Sequence, residues 1–304
     1  MRTLRFGKYA VKLSNEDKTF FPDDGITKGD VVEYYREVAD AMVPHLRRRP
    51  LVMQRFPDGI GKGGFFHKAA PDHFPDWIER FSVKKEGGGR VDHVVCSNAA
   101  ALVYVANYGC ITLHLWPSRT DRIHNPDQMI FDLDPPGEDF ARAVDAAHGM
   151  RELLGELRLP AYIKTTGGKG LHVVVPLDRS ESFDAVRAFA RDVAKLLASR
   201  DPDNLTLEVR KEKRKGRLFL DVGRNAYAQH AVAPYSLRPR AGAPIATPIE
   251  WDELNGRLRP SSFTIKTVLD RLSNGVDPWH GMARRARSLT EAHRRLERIS
   301  SVDA

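Results

Sequence analysis

The segment Ile130–Pro136, IFDLDPP, constrains this chain more than any other. It has the apolar content of a core strand yet carries two carboxylates. Burying charge is costly, and Asp is a poor strand former. Residues two apart in a strand share a face, so Asp132 and Asp134 project side by side while Met129, Phe131 and Leu133 face the other way. Pro135 and Pro136 offer no backbone N–H and end the ladder. Asp134 thus falls at a strand end, where two carboxylates can share a cation.

A second acidic strand position occurs in GRLFLDVGRN, Gly216–Asn225. There Asp221 shares a face with Phe219, and Leu218, Leu220 and Val222 take the other. Three strand-borne carboxylates fit a paired Mg²⁺ or Mn²⁺ site, because hard cations prefer oxygen ligands. In two-metal phosphoryl transfer such ions sit about 3.5–4 Å apart. Taken alone, the D-x-D pair equally describes exposed strand-end residues with no ligand.

The run KTTGGKGLHVVVP, Lys164–Pro176, places a glycine turn between two strands. Successive N–H groups in such a turn can cradle phosphate oxygens, and Lys169 adds a cation. It is not a Walker loop: Ile163 stands where the first glycine belongs and Gly170 follows the lysine. A plain hairpin turn is the bland alternative. His172 in the outgoing strand and His114 in TLHLW are each, taken singly, ordinary structural histidines.

Elsewhere the patterning is that of an α+β chain. Thr27 caps an expected helix from Lys28 to Met42, with Val31, Tyr34, Tyr35, Val38 and Met42 on one stripe and Pro44 and Pro50 closing the region. PLVMQRFPDG reads as strand and turn, and GKGGFFHKAA as a glycine-rich loop with two aromatics. RFSVKK and RVDHVV flank a glycine turn. CITLHLW and MIFDLD read as strands. Helices are expected over Glu138–Leu157 and through Phe183, Val186, Phe189, Val193 and Leu197. LTLEVRK and GRLFLDVG read as a hairpin tipped by the basic run RKEKRKGR. Strands lie next to strands as well as across helices, which argues mixed or antiparallel sheets flanked by helices.

The 304 residues, with 41% hydrophobic and 29% charged, suit a soluble globular protein. The start has no signal-peptide run, and no apolar stretch is long enough for a membrane span. Two cysteines, Cys96 and Cys110, exclude a Cys-rich zinc site and suit a reduced, cytoplasmic compartment. The net charge of +8 favours a polyanionic partner. It is concentrated in HLRRRP, in Arg210–Arg217 and in Arg284–Ile299. No repeat or low-complexity linker divides the chain.

Read together, LSNEDKTFFPDDGITKGDVVEYY, GGFFHK, ITLHLW, MIFDLDPP, TTGGKGLHVVVPL, LFLDVGRN and HAVAPYSLRPR resemble, in order, the polymerase domain of bacterial ligase D. That family lies within the archaeo-eukaryotic primase superfamily, and the resemblance covers nearly the whole chain. It implies a two-lobed primase-like fold: one domain over residues 1–280, with an N-terminal lobe to about 110, a catalytic lobe over about 111–260, and a basic segment at 281–304. By position, Asp132, Asp134 and Asp221 resemble the family's divalent-metal ligands. His114, Thr166, Lys169, His172, Arg224 and Arg238 match nucleotide contacts, with Thr166 where the family usually has Ser. Asn15, Lys18 and Lys28 match a pocket for a 5′-phosphate on DNA. Phe65 and Phe66 match a template-base platform, with Arg55 and Lys68 suited to template phosphates. Arg214 matches a mobile-loop arginine that engages the triphosphate.

The resemblance further implies a DNA-repair nucleotidyltransferase that fills gaps or broken ends in non-homologous end joining. It would use two divalent cations, Mn²⁺ or Mg²⁺, and NTP or dNTP substrates, with a lean to ribonucleotides. Its partners would be gapped or broken DNA, a DNA-end-binding protein and a separate ATP-dependent ligase, and it would lie in the cytoplasm at the nucleoid. The absence of a K-x-D-G adenylation motif suits a stand-alone polymerase. The competing readings are a primase starting chains without a primer, a non-catalytic end-binding module and a metal-dependent phosphoesterase.

Overall fold

The structure, a computed structural model, describes residues 2–85, 87–275 and 277–302. It divides into two compact units that interleave along the chain. The first comprises Met1–Trp116, His230–Thr247 and Ser261–Asp277, the second Pro117–Gln229, Pro248–Pro260 and Pro278–Ala304. Both mix helices with largely antiparallel sheets, as the patterning predicts. No helix among the described residues is long and apolar enough to cross a membrane.

In the first unit a four-stranded antiparallel sheet runs in the order Ala231–Val232, Cys110–Leu115, Leu51–Arg55, Phe65–His67. Helices Lys28–Glu37 and Ala99–Asn107 pack together beside it. Thr27 closes a full capping box with Asp30, satisfying two of the donors a helix start leaves open. The expected single helix to Met42 instead divides at Val38, and a second helix, Ala39–Leu46, follows. Pro44 lies inside that second helix and does not close the region. Its ring offers no N–H to the carbonyl four residues back, so the second helix stays short. Two buried tyrosines tie the returning segment to this unit. Tyr34 donates its hydroxyl to the Tyr235 carbonyl at 2.7 Å, and the Leu237 N–H donates to the Tyr35 hydroxyl at 3.1 Å.

The second unit is built on six strands in the order Leu205–Thr206, Leu218–Asp221, Gln128–Asp134, Leu171–Pro176, Tyr162–Thr165, Pro248–Ile249. Ile163, Val173 and Phe131 stand in register across three of them and are fully buried. Each such side chain contributes about 1.5–3 kcal/mol by leaving water. Helices Phe140–Glu156 and Phe183–Arg200 pack on the sheet and on each other. The basic C-terminal segment forms a helix, Thr290–Val302, whose His293 ring packs 4.5 Å from Phe189.

One expected pairing is corrected. Leu205–Thr206 and Leu218–Asp221 run parallel, not as a hairpin. Beyond Thr206 the chain turns: the Glu208 N–H donates to the Thr206 hydroxyl at 3.1 Å, and Arg214 donates to Glu208 O at 3.0 Å and Val209 O at 2.9 Å. The basic run is therefore an anchored crossover loop.

Candidate active site and nucleic-acid contacts

The sheet of the second unit carries a row of polar side chains across four strands. Asp221 faces Asp132, Asp132 faces His172, and His172 faces Lys164, each as a register pair. Asp134 lies two residues beyond Asp132 on the same face. All three carboxylates expected from the sequence therefore share one surface. Lys164 was not singled out by the sequence, where a lone lysine in a strand reads as solvated; its register opposite His172 and its burial were the missing information.

Charge around the row is closely balanced. Burial works to raise the Asp132 carboxyl, but His172 and Arg224 outweigh it and hold the group well below the usual carboxylate range. Arg224 Nε lies 3.2 Å from one Asp132 oxygen and His172 Nε2 3.4 Å from the other. Burial, helped by the Lys164 charge, pushes His172 down to about 4, so it is a neutral imidazole at pH 7. Asp134 shifts the other way: burial first and the Asp132 charge second raise it, against Arg214 and Lys211. Arg214 Nη1 sits 3.7 Å from Asp134, with its guanidinium 4.0 Å over the Phe219 ring. Asp221 accepts from the Gly223 N–H at 2.7 Å.

Among the described residues, no three carboxylate, imidazole or thiol groups close into a ready-made metal cage. The donor set nonetheless fits hard divalent cations: three oxygen-only ligands on neighbouring strands, with arginines supplying the positive charge that crowded carboxylates require.

The glycine turn stands directly beside this row. Gly170 passes so close to the Gln128–Asp134 strand that a Cβ there would lie 2.1 Å from the Leu133 carbonyl oxygen, which only glycine permits. Thr166 closes the turn by donating its hydroxyl to Gly170 O at 3.0 Å and accepting from the Gly168 N–H at 3.2 Å. Lys169 Nζ meets Glu138 Oε1 at 2.6 Å. The second unit thus brings together Asp132, Asp134, Asp221, Thr166, Lys169, His172, Arg214 and Arg224.

The remaining expected residues belong to the first unit. His114 lies on the Cys110–Leu115 strand, with its ring 4.9 Å from His230 and 5.4 Å from Phe66. Arg238 follows the Ser236–Leu237 strand and donates its N–H to Pro244 O. Phe65 and Phe66 are 49% and 53% exposed, an unusual state for phenylalanine and the one a stacking platform needs. Arg55, opposite Phe65 in register, stacks 3.5 Å from the Tyr108 ring, and Lys68 is exposed just beyond the Phe65–His67 strand.

Asn15, Lys18 and Lys28 are also gathered. The Lys28 N–H donates to Lys18 O, and the Lys18 N–H donates to Asn15 O. Asn15 holds a left-handed φ of 51°. The Lys28 ammonium is buried against Ser14, donating to its carbonyl at 2.6 Å and its hydroxyl at 3.0 Å. Burial first, then the Lys18 charge, lower Lys28 to about 8. Lys18 pairs with Asp58. Asn107 holds this loop from the Ala99–Asn107 helix, accepting from Ser14 N–H and donating to Lys12 O, each at 3.1 Å. Nothing in the sequence marked Asn107, because its contacts lie some ninety positions away.

Residues 27–279 match the family described as LigD, primase-polymerase domain. The chain belongs to the LigD primase-polymerase family. A multifunctional non-homologous end joining protein LigD of Mycolicibacterium smegmatis is 35% identical over 271 residues, covering 88% of this chain and 35% of that protein. A bifunctional LigD of Bacillus subtilis is 31% identical over 88% of this chain and 43% of its own length. The chain thus spans roughly a third to two fifths of these LigD relatives. The polymerase domain of Mycobacterium tuberculosis ligase D, solved in complex with DNA, superposes with a TM-score of 0.85 at 29% identity, covering 91% of this chain and 99% of that one.

Proposed function

We propose that this LigD-family chain is a template-directed nucleotidyltransferase of DNA end joining, which extends a primer 3′ end across short gaps or broken ends. The observation that carries this reading is the register pairing of Asp221 with Asp132, with Asp134 on the same face and the Lys169 turn alongside. A binding module has no need of three adjacent carboxylates, and the glycine turn with Lys169 suits a triphosphate better than it suits a phosphoesterase's substrate.

Asp132, Asp134 and Asp221 would hold two divalent cations, Mn²⁺ in preference to Mg²⁺, which when bound supply charge neutralisation at the phosphates and acidify the primer 3′-hydroxyl. The chain's own groups do the rest. N–H groups of the Thr166–Gly170 turn, Lys169 and Arg224 bind the triphosphate, and the family resemblance gives His114 and Arg238 of the first unit as further nucleotide contacts. His172, neutral and fixed against Asp132, orients that carboxylate and leaves its charge intact. Arg214, held over Phe219 at the loop, engages the triphosphate and its developing charge.

In the first unit, Phe65 and Phe66 offer a stacking surface to a template base, with Arg55 and Lys68 at the adjoining phosphates. Asn15, Lys18 and Lys28 bind the 5′-phosphate of the downstream strand. Residues 1–280 act as one primase-polymerase domain, on ribonucleotides by preference. Its partners are gapped or broken DNA, a DNA-end-binding protein and an ATP-dependent ligase at the same ends, in the cytoplasm at the nucleoid.

The test is extension of a gapped duplex with and without the 5′-phosphate, with both sugars and both metals. Extension that needs a divalent cation and disappears in Asp132→Ala supports the reading. No extension by the parent, or retained extension by Asp132→Ala, removes it. Oligomers made without a primer would favour a priming role.

A further inference from the structure

Between the Phe183–Arg200 helix and the start of the basic crossover loop lies a groove whose lining, Asp221 apart, has no role in the proposed reaction. The groove, about 770 Å³, lies wholly in the second unit. Phe219–Gly223 line it, at and beyond the end of the Leu218–Asp221 strand, so Asp221 borders the groove. One wall is the Phe183–Arg200 helix, which presents Arg187, Arg191 and Lys195 at successive i, i+4 positions. Arg187 and Arg191 are exposed and carry no side-chain hydrogen bond or ion pair among the described residues. Asp184, and Asp192 paired with Lys195 at 2.9 Å, offset part of this charge. The other wall is Leu207 and Val209, leading into Arg210–Arg217 with its six cations and one glutamate.

We propose that this groove grips the sugar–phosphate backbone of the strand whose 3′ end is extended. The inference rests on the polymerase reading, since in that reaction the strand that must terminate beside Asp221 is the one bearing the 3′-hydroxyl. Unpaired guanidinium groups on one side and a cation-rich rim on the other complement a polyanion. The helical cations step by about 6 Å, close to two nucleotide rises of a duplex strand at about 3.4 Å each. Val209 supports a nucleic acid over a small anion. It is 71% exposed, a state it shares only with Phe65 and Phe66 among the large apolar side chains described, and gives the flat faces of sugars an apolar contact. The rim is held in place, because Arg214 binds the Glu208 and Val209 carbonyls and Arg142 binds Gly216 O at 2.9 Å.

The experiment compares the full chain with the double variant Arg187→Glu, Arg191→Glu, both on the exposed face of a helix. Binding to a fluorescent primed duplex is measured across a salt series, beside the nucleotide KM and the melting temperature. The expected result is about tenfold weaker binding with a log–log salt slope shallower by about 1–2, at unchanged melting temperature and nucleotide KM. Arg187→Lys, Arg191→Lys should bind as the parent does. Neutral methylphosphonate linkages in the primer strand should weaken the parent and leave the Glu variant unaffected. Equal affinity and equal slope for parent and Glu variant would overturn the proposal, as would an effect of methylphosphonates confined to the template strand. Extension is scored separately: a parent that binds primed duplex but never extends it defeats the polymerase reading, while the binding comparison still decides whether the groove holds DNA.

Discussion

Asp221 stands directly across the strand pair from Asp132, although the two are nearly ninety positions apart in sequence. Directly opposed like charges are unfavourable in a sheet, so this pair is a cost that the fold sustains at the proposed reacting centre. Asp221→Ala should therefore abolish extension while leaving the Kd for duplex DNA within about twofold, since neither carboxylate attracts phosphate. Extension comparable to the parent would refute the assignment.

Asp134 is the most exposed of the three, and its carboxyl is raised by burial and by its acidic neighbours. Asp134→Asn relieves that crowding. It should eliminate extension yet raise the melting temperature slightly, on the order of 1 °C once solvent screening is allowed for. A fall of several degrees in calorimetry would contradict the charge balance described here.

Glu138 neutralises the Lys169 ammonium at 2.6 Å while remaining 82% exposed itself. In the proposed reaction an incoming triphosphate displaces it. Glu138→Gln should lower the nucleotide KM about two- to fivefold with little change in kcat, the signature of altered ground-state binding. Steady-state kinetics at low salt will show it, and the difference should shrink as salt screens the pair.

Lys28 titrates near 8 in the unliganded protein, chiefly through burial. A phosphate needs the charged form, so above pH 8 binding takes up a proton. The Kd for a 5′-phosphorylated end should then rise by up to about tenfold per pH unit, and the Kd for a 5′-hydroxyl end should stay flat. Because the folded value lies below the unfolded 10.5, the folded state binds fewer protons between the two values, and the contribution of Lys28 to stability grows as pH rises from about 8 towards 10.5. Titrations of both ends from pH 7 to 9 are decisive.

Gly170 admits no side chain, since a Cβ would press on the Leu133 carbonyl. Gly170→Ala should cost about 2–4 kcal/mol in denaturant unfolding. Gly223→Ala would meet only the flexible Asp221 carboxylate, at 2.9 Å, and should cost markedly less.

Much of the site was legible from alternation alone. The two-residue spacing of Asp132 and Asp134 fixed their shared face, and the proline pair fixed where the strand stops. What alternation cannot supply is register between distant strands, and so the pairing of Asp221 with Asp132 and of Lys164 with His172 had to come from the structure. The expected hairpin between LTLEVRK and GRLFLDVG failed for a related reason. Strand-like composition continues past Thr206, but the Thr206 hydroxyl turns the chain by taking the Glu208 N–H, and the distant Arg214 guanidinium then holds the Glu208 and Val209 carbonyls. The division of the first long helix at Val38 was hidden by an unbroken apolar stripe.

The approach of Gly170 to Leu133 leaves no slack between the Thr166–Gly170 turn and the strand that carries Asp132 and Asp134. The two can only travel as one rigid piece. On the proposed reading, a relative with altered substrate choice differs in the side chains lining this piece, because the distance between turn and carboxylates is set by backbone against backbone and is closed to gradual adjustment.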